Sequence, residues 1–150
     1  TKKGRRKVLK SDIEYKTKNG CKYTTDSLGR IKKVKGKLEL GKAKRNSYAQ
    51  RVVGREDRLP TDEGGHLIAT IFKGSGELDN LVPMDANLNK SAYKKLENSW
   101  ATALENGKEI EVQIDSIYKG DSLRPTKFKV KYWIDGKLDK LTFKNKPGGW

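Results

Sequence analysis

Cysteine, histidine and methionine each occur once in 150 residues, and proline only four times. The lone Cys21 excludes an internal disulfide and any zinc site built from cysteines. The lone His66 leaves too few imidazoles for a catalytic zinc centre of the usual kind. No apolar run approaches the length of a membrane span, and the basic opening residues 1–10 lack the apolar segment of a signal peptide. Residue 1 is threonine, and the missing initiator methionine raises the expectation of a piece of something longer. An apolar fraction of 33% predicts a modest core beneath a heavily charged surface, within one domain's worth of sequence.

Charge of one sign is what the chain has in excess. The formal net charge is +15, and it is unevenly placed: residues 1–60 carry 20 Lys and Arg against 6 Asp and Glu, whereas residues 61–150 carry 14 against 13. A polyanion is the natural partner of such a surface. The two competing explanations are simple solubility and an acidic protein partner steered by the same field. Nothing in the pattern calls for a membrane.

Along the chain, residues 1–19 read as a basic arm and 20–150 as the folded domain. Cys21–Thr25 and Ile31–Val34 flank Asp26-Ser27-Leu28-Gly29, a loop suited to a hairpin. Leu38–Ala49 is charged and ambiguous, read as a further strand and then a short helix, and Arg51–Pro60 reads as a polar loop or strand. Gly64–Phe72 is expected to enter as a strand at His66 and to continue into a short helix or extended run. The clearest helix spans about Asn89–Asn106, with Tyr93, Leu96, Trp100, Ala103 and Leu104 at helical spacing, Asn89 or Ser91 as its cap and Gly107 as its stop. Tyr93 and Trp100 are assigned to the core. Ile110, Val112 and Ile114 alternate, as do Phe128, Val130, Tyr132 and Ile134. Asp135-Gly136 is a strong hairpin signal, and Leu141 and Phe143 follow on a last strand. These elements make an α+β domain: antiparallel strands packed with one principal helix.

Chemistry concentrates in Asp62-Glu63-Gly64-Gly65-His66-Leu67-Ile68-Ala69, followed by Asn80-Leu81-Val82-Pro83-Met84 and Asn89-Lys90. Two glycines let backbone approach a ligand just before a residue that titrates near neutral pH. The pattern suits phosphodiester hydrolysis, in which a neutral histidine takes a proton from water and a divalent ion manages the charge. A single histidine argues against the metal-free strategy that places an acid and a base around a 2′-hydroxyl. Magnesium fits best, because it prefers oxygen and keeps most of its waters. Asn89 could hold it, and Glu97, about two helical turns further on, could accept from a water of its shell. Each residue also has an ordinary structural explanation: His66 as a satisfied structural residue, Asn89 as an N-cap, Glu97 as a solvated helix side chain.

The ordered set resembles the DNA/RNA non-specific endonucleases of the ββα-metal (His-Me finger) superfamily. The likeness is greatest to the branch found as C-terminal toxin domains of bacterial secreted proteins, including type VII secretion effectors. Thr25–Ile31 and Arg124-Pro125-Thr126 also suit that branch, so the resemblance covers most of residues 20–135. It implies a ββα-metal finger core, His66 as general base, Asn89 as protein ligand of Mg²⁺ (with Mn²⁺ the substitute), and Glu97 as its outer partner. Asn80 would orient the site. Many relatives carry Asp-Arg-Gly-His, and here Gly64 stands at the arginine's position; Arg124, Arg58, Arg55 or Lys90 then become candidates for binding the phosphate. Glu63 or Asp62 fills the acidic position in support of the site. The expected function is a Mg²⁺-dependent endonuclease acting on DNA, with RNA an open second substrate, secreted as an antibacterial toxin and neutralised in the producing cell by an acidic immunity protein. The alternatives are a basic module that holds nucleic acid without cutting it, and a domain that binds only an acidic protein.

Overall fold

The computed structural model describes residues 9–17 and 20–150. Its frame is a six-stranded antiparallel sheet in the order β1-β2-β3-β6-β7-β8. The strands are β1 (Glu14–Lys16), β2 (Lys22–Thr25), β3 (Ile31–Lys37), β6 (Ile110–Tyr118), β7 (Pro125–Ile134) and β8 (Lys137–Lys144). Between β3 and β6 the chain leaves the sheet and builds α1 (Ser47–Val52), the two-stranded ribbon β4 (Asp62–His66) and β5 (Leu81–Asp85), then α2 (Ala86–Lys90) and α3 (Ala92–Glu105).

Alternation drives the sheet. Val34, Val112, Ile114, Phe128, Val130 and Phe143 are buried on one face, because successive strand side chains point to opposite sides. Helix α3 covers that face: Trp100 meets the Tyr132 ring edge-on at 5.4 Å and Tyr93 meets Phe143 at 5.6 Å. Both helix aromatics are core, as their spacing predicted. Gly107, at φ +81°, stops α3 by entering the left-handed region. Asp135 and Gly136, at φ +49° and +83°, make the tight turn joining β7 to β8. The loop between β2 and β3 turns around Asp26, whose Oδ1 accepts from the amides of Leu28 and Arg30.

Several boundaries differ from expectation. The single helix is two: α2 ends at Lys90, Ser91 sits at φ −119°, ψ −89°, and α3 starts at Ala92. Asn89 therefore caps nothing and lies in the last turn of α2, whose cap is Asp85, accepting from Leu88 N at 3.0 Å. The Ser91 side chain makes no cap bond to α3 and donates to the Asn87 carbonyl instead. The strand at the Gly-Gly-His motif ends at His66 rather than beginning there, and residues 67–71 bend and turn before the bridge at Phe72. Arg51–Pro60 is the end of α1 plus a short 3-10 turn, Arg55–Asp57, with no strand. Leu38–Ala49 holds one isolated bridge, Gly41 to Phe72, before α1. The sheet begins inside the segment expected to be an arm: Tyr15 on β1 stacks on Tyr23 of β2 at 5.7 Å. Residues 1–8 of that arm lie outside the described residues.

Candidate active site

The ribbon β4–β5 presents the motif. Its register sets Glu63 opposite Met84 and His66 opposite Leu81. Glycines are required here by space. A Cβ on Gly64 would collide with the backbone of Gln50 in α1, and one on Gly65 would press on Met84. Just beyond His66, the buried Asn80 fastens the turn: its Oδ1 accepts from Ile68 N at 2.9 Å, and its Nδ2 donates to the Ile68 and Ser75 carbonyls at 2.7 Å each. The Tyr93 hydroxyl donates to the Leu67 carbonyl at 2.6 Å, tying α3 to the same turn. His66 is thus carried on a strand end held by directional bonds on both sides.

His66, Glu63, Asn89, Lys90, Lys94, Glu97 and Arg45 line one polar cleft of about 300 Å³, together with residues 69–71. His66 is 7% exposed. Burial first, and the positive charge of Arg45 second, lower its pKa to about 4, so the imidazole is neutral at physiological pH. Its Nε2 is sealed from solvent and has no hydrogen-bond partner among the described residues. Glu97 stands on the α3 wall, and burial raises its carboxyl to about 8 against the opposing pull of Lys94 and Arg45. Asn89 Nδ2 donates to Glu63 Oε1 at 2.6 Å. Because a carboxylate only accepts, that bond fixes which end of the amide faces Glu63 and leaves Oδ1 as the free acceptor. Glu63 also pairs with Lys90 at 3.4 Å.

Among the described residues no group of three His, Cys, Asp or Glu side chains could grip a metal. The donors on the cleft walls are instead one amide oxygen, the carboxylate of Glu63 and the carboxyl group of Glu97. This set suits a hard divalent ion that retains most of its waters and is ill-suited to zinc.

The structure does not bring the other anticipated residues into the cleft lining. Asp62 is buried in a bidentate pair with Arg124, Nε to Oδ2 at 2.7 Å and Nη2 to Oδ1 at 2.9 Å, and Arg124 also donates to the Asn145 carbonyl. Arg58 is engaged by the carbonyls of Gln50, Arg51, Val53 and Asp62 at the end of α1. Arg55 lines a different hollow, between α1 and the sheet. Asn80 acts on the backbone behind His66. Of the four basic candidates only Lys90 lines the cleft. Arg45 and Lys94 were missed. Arg45 sits in a stretch of like charges, and no spacing rule separates it from its neighbours.

Comparison with known proteins bears on this arrangement at two levels. The chain is similar to the NucA nuclease of Streptococcus agalactiae, solved with a magnesium ion bound, with a TM-score of 0.72 over 95% of this chain and 77% of that one, at 16% identity. An extracellular endonuclease gives 0.58 over 93% and 82%, at 17% identity. These show a shared fold, the mixed α and β architecture of the ββα-metal nucleases. In sequence, the chain is 46% identical over 149 residues to the type VII secretion system protein EssD of Staphylococcus aureus (strain USA300), covering 95% of this chain and 24% of that protein. The chain therefore spans about a quarter of the length of the curated relatives it matches. The family of DNA/RNA non-specific endonucleases matches residues 11–136, from β1 to the last hairpin turn, and this chain belongs to it.

Proposed function

We propose that the chain is the nuclease domain of a secreted bacterial effector, cutting DNA and RNA with His66 as general base and a divalent ion, Mg²⁺ or Mn²⁺, held by Asn89. The observation that carries the reading is a buried, neutral histidine lining the same cleft as an amide oxygen that Glu63 orients.

His66 accepts a proton from water as the water oxygen attacks phosphorus in line; the bond to the departing oxygen breaks, and that oxygen takes a proton from solvent. Low basicity costs His66 some driving force, but keeps it in the accepting form. Asn89 would hold the ion through Oδ1, because Glu63 engages its Nδ2. When bound, the ion supplies neutralisation of the charge that develops on the phosphate and the departing oxygen. Glu97 is placed to accept from waters filling the cleft, and Lys90 and Lys94 line the side where a polyanion enters. The chemistry calls on no 2′-hydroxyl, so DNA and RNA are both candidate substrates.

Digestion of plasmid DNA and total RNA tests the reading, comparing the chain with His66→Ala, each with Mg²⁺, with Mn²⁺ and with EDTA. Cleavage by the intact chain alone, and only with metal, is expected. Equal cleavage by a contamination-free His66→Ala protein would remove His66 from the reaction. Binding that fades with salt and never leads to cutting would instead favour the non-catalytic module.

Likeness to a secretion-system protein supports export and a toxic role, and a toxin requires protection of its maker. The partner expected is an acidic immunity protein, complementary to the +15 chain. Co-expression with neighbouring genes should yield a complex that blocks cleavage; a free, fully active nuclease would count against that partner.

A further inference from the structure

We propose that Arg45 grips the phosphate being cleaved, a role for this chain that rests on the nuclease reading. The strand bearing His66 offers the cleft no cation of its own. Position 64 cannot supply one: any side chain there would run into the Gln50 backbone of α1. Helix α1 closes that route and opens another, because Arg45 lies two residues before its first turn. Asn46 caps α1, accepting from Ala49 N at 3.0 Å, while its Nδ2 reaches Glu77 at 2.9 Å.

The backbone that carries Arg45 is fixed on two further sides. Ala43 N donates to the Thr70 carbonyl at 3.1 Å. Gly76 packs so tightly on the Lys44 carbonyl and the Arg45 Cα that no Cβ fits between them. The side chain, by contrast, is exposed and forms no ion pair or hydrogen bond among the described residues. It lines the cleft and is close enough for its charge to act on both His66 and Glu97. Of the other cleft cations, Lys90 is paired with Glu63 and Lys94 is an exposed point charge on α3. Only Arg45 is at once unpaired, beside the base, and forked to meet two phosphate oxygens together. An anchored backbone with an unengaged guanidinium is the arrangement expected of a residue awaiting an anion.

The test measures kcat and KM on a defined duplex for the intact chain, Arg45→Ala and Arg45→Lys, with thermal melts of each. We expect Arg45→Ala to lower kcat/KM by about 10²–10³, mostly in kcat, as removal of one transition-state contact does. Arg45→Lys should recover only part, since an ammonium lacks the fork. Guanidinium chloride at non-denaturing concentration should restore Arg45→Ala activity several-fold, with urea at the same concentration as control. A role confined to holding the 41–46 segment in place would lower the melting temperature and give no rescue, and that result overturns the proposal. So does a kcat/KM within about threefold of the intact chain. If the intact chain itself fails to cut, the nuclease reading falls; if it cuts as well as Arg45→Ala, only the assignment of Arg45 falls.

Discussion

The six-stranded sheet and the β4–β5 ribbon are held by different kinds of force. The sheet is an apolar laminate, with Val112, Ile114, Phe128 and Val130 closing against Trp100 and Tyr93. Its cohesion is large and non-directional, so it tolerates small shifts. The ribbon buries Leu81, Val82 and Met84 on β5, but β4 has glycines at its centre and adds only backbone there. It is fixed by polar bonds: Arg124 to Asp62, Asn80 to the Ile68 amide and carbonyl, and the Tyr93 hydroxyl to Leu67. Asn145 adds a clasp, accepting from Asp85 N and donating to the carbonyls of Pro83 and Pro125. Directional bonds set position to within tenths of an ångström, as the proposed roles of His66 and Asn89 would require.

That contrast can be broken most severely at Arg124. Its partner's side chain is fully buried, so Arg124→Ala leaves an uncompensated carboxylate inside the protein and should cost about 3–5 kcal/mol. Urea unfolding measures it; a loss under about 1 kcal/mol would mean that the ribbon is carried by the sheet's apolar packing after all.

A second effect depends on pH. The folded-state value for Glu97, about 8, lies above its ordinary 4.5. The folded chain therefore holds a proton that the unfolded chain has released, and the resulting stability is fully present below about pH 4.5 and lost as pH rises through about 8. His66 runs the other way: with a folded value near 4 against 6.5, its contribution is complete above pH 6.5 and lost as pH falls through about 4. Glu97→Gln should flatten the alkaline decline by roughly 1–3 kcal/mol in metal-free buffer. An unchanged decline would show Glu97 to be ionised in the fold.

Gly64→Ala should cost about 1–3 kcal/mol by driving α1 off the ribbon, and melting curves beside those of an exposed-site control would detect it. Smallest for stability is Glu63→Gln. Its pair with Lys90 is largely exposed and contributes under about 0.5 kcal/mol. Its effect should fall on metal response, because the amide of Asn89 loses the charge that orients it. An unaltered Mg²⁺ titration would separate Glu63 from the site. Asp62 and Glu63, adjacent in sequence, would then be told apart by which assay each disturbs.

The same division explains what could be read from the chain. Periodicity reports burial, so β6, β7, β8 and the Asp135-Gly136 turn were legible from alternation and turn chemistry. The helix face with Tyr93 and Trp100 was legible too, but its break at Ser91 was not: the apolar spacing runs straight through a joint made by backbone angles. Motif order located the cleft through His66, Asn89 and Glu97. It could not tell a cation that lines a cleft from one that ties down a strand. Arg124 and Arg58 find acceptors brought near only by folding, and Arg45 is conspicuous only because it finds none.

The joint at Ser91 has a mechanical consequence. Asn89 rides on a helix of five residues and Glu97 on one of fourteen, and between them lies a single residue outside helical geometry. That one residue sets the angle at which the two helices meet, and with it the spacing between Asn89 and Glu97 across the cleft. Replacing Ser91 is therefore the way to change that spacing without touching either residue.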